Sequence, residues 1–126
     1  MEKVLKFKEN DFVDLTFPIN YGYNTIQCGK DKYTLKDFKL QNGHDDSLPY
    51  SAILCVNDKP ICSCLNDGWG GLTEIIPLNV HSRDILEKIN KNLSSYGWQH
   101  KGRKFNLVLD FVVDLLAENE CVIDSW

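Results

Sequence analysis

The clearest pattern along the chain is a pair of apolar segments separated by two polar residues. Residues 50–56 (YSAILCV) and 59–65 (KPICSCL) flank Asn57-Asp58, and Asn and Asp tolerate the positive φ angles that a type I′ turn requires. The pattern therefore predicts a β-hairpin of fixed register. Its facing pairs are Val56–Lys59, Cys55–Pro60, Leu54–Ile61, Ile53–Cys62, Ala52–Ser63 and Tyr50–Leu65. Both faces of this hairpin are largely apolar, so we expect each to be covered.

The first helical pattern begins near Ser82, a good N-cap residue, and ends at Gly97, a typical C-terminal stop. Between them Ile85, Ile89 and Leu93 recur at the spacing of one helix face. These positions predict an amphipathic helix that packs on the sheet.

A second helical pattern runs from about residue 106 to residue 119. Acidic residues occupy one side of this helix and predict a solvated face. The opposite, apolar stripe consists of Val108, Phe111, Val112 and Leu115. The basic segment 98–104 is interpreted as a linker between the two helices.

Shorter segments at residues 3–8 and 72–78 predict two further strands. Residues 33–40 suit a strand or a short helix, and the turn residues 41–43 that follow favour the strand. Residues 12–26 contain a proline, a glycine and asparagines, which favour an irregular packed loop, and residues 41–49 are also predicted to be a loop. Together the elements predict one α+β domain, residues 1–126, in which a small, mostly antiparallel sheet precedes two helices that pack on it.

Length and cysteine content limit the classes of protein. The chain has 126 residues, of which 43% are hydrophobic, and this suits one domain with a single core. No segment approaches the roughly 18 to 20 apolar residues of a membrane span, and the N-terminal sequence MEKVLKFKEND lacks the pattern of a secretory signal. Five cysteines, an odd number, indicate reduced thiols. We therefore expect a cytoplasmic protein without disulfides or membrane contact.

The acidic residues are concentrated near the end of the chain. The net charge is −4, and residues 110–126 contain five acidic residues and no basic one. This distribution argues against binding to a nucleic-acid backbone and suits a protein partner with a basic surface. Asp110, Asp114 and Glu118 share one side of the second helix and are candidate binding residues. The simpler interpretation of these three carboxylates is a solvated helix face.

A second candidate site lies in the segment CSCLNDGWGGLTEI, residues 62–75. A tryptophan between glycines either packs into the core or projects as an anchor for a partner. The glycines match neither a P-loop nor a dinucleotide-binding fingerprint. The candidate binding residues of this glycine loop are Asp67, Gly68, Trp69, Gly70 and Gly71.

The remaining reactive residues carry no recognisable motif. Cys55, Cys62 and Cys64 share one face of the predicted hairpin, but their spacing is unlike that of a zinc site. His44, His81 and His100 lack partners at a catalytic spacing. The cluster of Trp98, Lys101, Arg103 and Lys104 has the composition of a single-strand binding site but is small. The sequence therefore predicts no catalytic residue, metal ligand or cofactor.

The segment YSAILCVNDKPICSCLNDGWGGLTEI, followed by FVVDLLAENE, resembles small proteins carried by phages and mobile elements. In those proteins a hairpin, an N-D-G-x-G-G turn and a C-terminal acidic helix recur, and the resemblance covers roughly the second half of this chain. It implies an accessory role, such as blocking a host defence protein in the manner of anti-CRISPR proteins. It transfers no functional residues.

Two functions from different classes remain open. The first is a non-enzymatic protein binder, such as an inhibitor, that uses the glycine loop and the three carboxylates against a basic partner. The second is a small-ligand or nucleotide-binding domain, in which Trp69, or Tyr21 and Tyr23, stack on the ligand beside the glycine loop. A thiol or metal function at the three hairpin cysteines is a weaker third interpretation. The sequence carries no signal for the oligomeric state.

Overall fold

A computed structural model describes residues 3–15, 23–40, 50–66 and 73–124, the last four of these as backbone only. Within these ranges the chain forms nine strands and two helices. They are β1 (Val4–Phe7), β2 (Phe12–Asp14), β3 (Thr25–Cys28), β4 (Asp31–Leu40), β5 (Tyr50–Val56), β6 (Lys59–Asn66), β7 (Glu74–Pro77), α1 (Val80–Leu93), β8 (Gly97–His100), β9 (Arg103–Asn106) and α2 (Leu109–Asp124). The predicted α+β class is confirmed, with strands in the majority.

The strands form two sheets. The larger has the order β1-β3-β4-β5-β6-β7, and the smaller has the order β2-β8-β9. The β1–β3 and β2–β8 pairs are parallel and the others are antiparallel. Helix α2 packs against β3 and β4, and α1 packs against β6 and β7. The prediction that residues 12–26 form a loop is therefore wrong at both ends, since β2 and the first two residues of β3 lie within them.

The predicted hairpin is confirmed, but four of its six predicted facing pairs are wrong. Asn57 and Asp58 have φ angles of 52° and 69°, as a type I′ turn requires. The predicted pairs Val56–Lys59 and Cys55–Pro60 are observed, whereas Leu54 then pairs with Cys62 instead of Ile61. A β-bulge beside the proline, which cannot donate a backbone hydrogen bond, accommodates the extra residue.

The bulge changes which hairpin residues share a face. Cys62 and Cys64 pair with Leu54 and Ala52 and lie with them on the buried inner face. Cys55 is the next residue along β5 and therefore points to the opposite, outer face. The three thiols do not form the cluster that the sequence predicted.

The two faces of the large sheet are not equally covered. On the outer face Ile53 is half-buried and Leu65 and Ile76 are exposed. The prediction that both faces of the hairpin are covered is met fully only on the inner face.

Helix α1 begins earlier than predicted. Asn79 is the N-cap, and its side-chain oxygen accepts a hydrogen bond of 2.9 Å from the Ser82 amide, so Ser82 lies inside the first turn. Ile89 and Leu93 are buried as expected, whereas Ile85 is partly exposed. The helix ends at Leu93, and Gly97 starts β8 instead of closing the helix.

Helix α2 is buried on more than one side. Val112 and Leu115 of the predicted stripe are buried, Phe111 is half-buried, and Val108 is exposed and precedes the helix. The other buried positions are Leu109, Val113, Leu116, Ala117 and Asn119. A helix that is apolar around most of its circumference occupies the interior of a fold. Here it lies between the two sheets, because Phe111 contacts the small one while the helix packs on the large one.

The segment predicted to be a basic linker is a second hairpin. Strands β8 and β9 pair across Lys101 and Gly102, whose φ angles are 51° and 79°. The Trp98 ring lies between Phe105 and Phe111, with centroid distances of 4.5 and 4.7 Å. This aromatic stack joins the small sheet to α2.

Candidate functional site

The predicted site residues fall into two groups. Residues 67–71 of the glycine loop lie outside the described part of the chain, but the residues on either side, Asn66 and Thr73, are described. The carboxylates of Asp110, Asp114 and Glu118 lie on α2, and we call them the acidic face.

Asp114 connects α2 to both ends of the glycine loop. Its Oδ1 atom accepts a hydrogen bond of 3.0 Å from the Tyr50 hydroxyl and another from the Thr73 hydroxyl. The Asn66 amide donates a hydrogen bond of 3.1 Å to the Thr73 hydroxyl oxygen. We call these four residues the Asp114 network. The network places the base of the glycine loop directly beside the acidic face.

The Asp114 network corrects the prediction that all three carboxylates lie on a solvated face. Tyr50 and Thr73 are 1% and 4% exposed, so their hydroxyl groups need a partner within the protein. Asp114 supplies that partner and is only half-exposed. Burial, together with the nearby Asp114 charge, holds the pKa of Tyr50 well above its ordinary value, so this phenol remains a proton donor.

The charge of Asp114 affects the pKa values of the other two carboxylates. Asp110 is half-buried and Glu118 is exposed. Neighbouring protein atoms displace part of the hydration of each, and this is the larger cause of a raised pKa in both residues. Repulsion by Asp114 is the second cause. The acidic face is therefore a surface on which negative charges are held close together.

Replacing Glu118 with glutamine is expected to raise the melting temperature at about pH 7. Because the folded state raises the pKa of Glu118, its stabilising contribution is fully present below the unfolded pKa and is lost as pH rises through the folded pKa. The advantage of Glu118→Gln should therefore shrink as pH falls through the raised folded pKa and should be absent below the unfolded pKa of about 4. Thermal melts between about pH 3 and pH 8 measure it, with Glu87→Gln on α1 as control. A difference in melting temperature between Glu118→Gln and the wild type that does not vary with pH would contradict this expectation.

The thiols of the described residues lie in the core, and a hydrogen bond from Cys64 lowers the pKa of Cys62. Cys28, Cys55, Cys62 and Cys64 are free and buried, and burial raises the pKa of Cys28 to about 12. Within the described ranges no three His, Cys, Asp or Glu side chains are grouped so that they could hold a metal ion. His100 contacts the Leu15 carbonyl oxygen at 2.8 Å, and His44 lies outside the described residues.

Two aromatic residues that the sequence offered for stacking on a ligand or a base, Trp98 and Tyr23, pack against other parts of the fold. The half-buried Trp98 ring stacks on the rings of Phe105 and Phe111 within the fold. The Tyr23 ring is half-buried against the core, and its amide donates to the Asn119 side chain at 3.1 Å. Tyr21 and Trp69 lie outside the described residues.

Sequence reasoning missed Tyr50, Asn66 and Thr73 as members of the site. Each lies next to a predicted loop, but only the three-dimensional pairing of the sheet with α2 brings them to Asp114. A buried tyrosine at a strand end is a weak signal, because the same residue type is common in ordinary cores.

No protein family, curated protein or solved structure matches the chain. Among the described residues, neither helix has the length and apolar character needed to cross a lipid bilayer. The resemblance to phage and mobile-element proteins stays a prediction.

Proposed function

We propose that this protein is a non-enzymatic binder of another protein and that it contacts a basic surface of its partner. The contact surface consists of the acidic face of α2 and the glycine loop. The observation that carries this proposal is the Asp114 network, because its hydrogen bonds hold the base of the loop against the helix that bears the carboxylates. Asn66 and Thr73, the nearest described residues on either side of the loop, thus belong to the same network as Asp114 of the acidic face.

The electrostatics of the acidic face favour a cationic partner. The pKa values of Asp110 and Glu118 are both raised, in part by repulsion from Asp114. A lysine or arginine of a partner would relieve that repulsion and give a complementary contact. Such a contact at the rim of an interface mainly increases the association rate and weakens with salt.

The specific role that we propose is inhibition of a host defence protein. This part of the proposal rests on the resemblance of the hairpin, the N-D-G-x-G-G turn and the acidic helix to phage accessory proteins. A defence protein that binds nucleic acid has a basic groove, and an acidic surface of this kind could occupy it.

Capture from bacterial lysate, read by mass spectrometry, tests the proposal. The bait proteins are the wild type, Glu118→Lys on the acidic face, Trp69→Ala in the glycine loop, and the control Glu87→Lys on α1. Glu118 and Glu87 are both exposed, so neither reversal should disturb the core. Asp114→Lys is unsuitable, because it would break the network and confuse a loss of folding with a loss of binding.

The expected result is one partner that the wild type and Glu87→Lys retain equally. Glu118→Lys and Trp69→Ala should each retain at least about tenfold less of it, which corresponds to about 1.4 kcal/mol. Melting curves of all four proteins verify folding. Equal capture by all four baits, or no specific capture by the wild type, would contradict the proposal.

A further inference from the structure

Strand β9 forms an edge of the small sheet. Within the described part of the chain it pairs with β8 alone, and all four of its residues, Arg103 to Asn106, are exposed. An edge strand of this kind presents backbone groups that another extended chain can pair with.

The register identifies which backbone groups point outward. The Leu107 amide donates to the Tyr96 carbonyl at 2.8 Å, and inward and outward groups alternate along an antiparallel strand. Arg103 and Phe105 therefore bond to β8, whereas the backbone groups of Lys104 and Asn106 face away from it. Each of these two residues offers one N–H donor and one C=O acceptor.

The charge at this edge is opposite to that of the whole protein. The hairpin from Gly97 to Asn106 contains Lys101, Arg103 and Lys104 and no acidic residue, although the net charge of the chain is −4. Phe105, which follows Lys104 in the strand, is 40% exposed. The edge therefore combines outward backbone groups, positive charge and an accessible aromatic ring.

We propose that β9 is a docking strand, which an extended acidic segment of a partner protein joins as a fourth strand of the small sheet. Carboxylates of the segment pair with Arg103 and Lys104, and an apolar side chain contacts Phe105. A second copy of this chain is less complementary, because it would bring a second Arg103 and Lys104 to the same basic edge. The β9 edge is separate from the acidic face. This proposal therefore does not depend on the proposed contact between the acidic face and a basic partner.

Fluorescence anisotropy with the full chain tests the proposal. The probe is a fluorescein-labelled octapeptide in which two Glu alternate with two Val, because Arg103 and Phe105 lie on one face of the strand and Lys104 on the other. Two comparison peptides replace Glu with Lys, or replace alternate residues with Pro, which cannot donate to a strand. The protein variants are Arg103→Glu with Lys104→Glu, and the matched control Lys88→Glu with Lys91→Glu on the exposed side of α1. Arg103→Glu alone is a second variant, since it leaves Lys104 over the Phe12 ring.

The Glu-Val peptide is expected to bind the wild type and the α1 control alike, and to bind each β9 variant at least about tenfold more weakly. The Lys and Pro peptides should not bind, and the bound Glu-Val peptide should slow hydrogen exchange of the Lys104 and Asn106 amides. Equal affinity for the Pro peptide, unchanged exchange, or no binding by the wild type would overturn the proposal.

Binding of a twelve-nucleotide oligo(dT) that is lost in the β9 variants, without peptide binding, would assign the surface to nucleic acid instead. Glu118→Lys should leave peptide affinity unchanged, which separates this result from the one concerning the acidic face.

Discussion

Replacing Trp98 with alanine is expected to lower the free energy of unfolding by about 3–5 kcal/mol. The indole lies between Phe105 and Phe111, at interplanar angles of 21° and 5°. Its removal leaves a cavity between the small sheet and α2 and takes away both stacking contacts. Urea denaturation followed by far-UV circular dichroism measures the loss.

Trp98→Phe is the matched control, because a smaller ring can keep part of the stack. It should lose clearly less stability than Trp98→Ala. A loss below about 1 kcal/mol for the alanine variant, within the range of surface substitutions and mild core changes, would show that the stack does not join the small sheet to α2.

Replacing Asp114 with alanine is expected to cost about 2–4 kcal/mol. The substitution removes two hydrogen bonds from buried hydroxyl groups to a carboxylate, each of which contributes about 1.5–3 kcal/mol. The Tyr50 and Thr73 hydroxyl groups still contact each other at 3.1 Å, so only one of the two donors keeps a partner. Asp114→Asn keeps an acceptor oxygen and should lose less. The same urea denaturation measures both variants.

A double-mutant cycle separates the network from a general effect of the substitution. Tyr50→Phe removes one of the two donors, so its cost and that of Asp114→Ala should not add. The double variant is expected to be at least about 0.5 kcal/mol more stable than the sum of the single losses predicts. Strict additivity would mean that Tyr50 and Asp114 do not act together.

Local patterns were enough to predict the hairpin turn and the existence of both helices. The Asn57-Asp58 turn depends on two neighbouring residues, and the helices depend on spacing within about four turns of chain. Their ends were less well determined. Asn79 caps α1 in place of Ser82, since both residue types are good caps and only the course of β7 decides between them.

The features that sequence reasoning missed depend on contacts between distant segments. The bulge at Ile61 and the parallel pairing of β2 with β8 leave no local signal that distinguishes them from a regular hairpin or a loop. Residues 98–104 were assigned to a linker because their polar residues hide the alternation around Trp98 and Phe105. The role of Asp114 also depends on distant segments. Its spacing on α2 matches a solvated face, and its partners Tyr50 and Thr73 lie far earlier in the chain.

The central claim is that a basic partner surface contacts the acidic face beside the glycine loop. Its most direct test is a photo-crosslinking residue placed at position 118 and, separately, at position 87 on α1, with irradiation in lysate and mass spectrometry of the adducts. We expect the partner captured by the wild type to crosslink at position 118, through peptides rich in lysine and arginine, and not at position 87. Crosslinking of that partner at position 87 without any adduct at position 118 would contradict the claim.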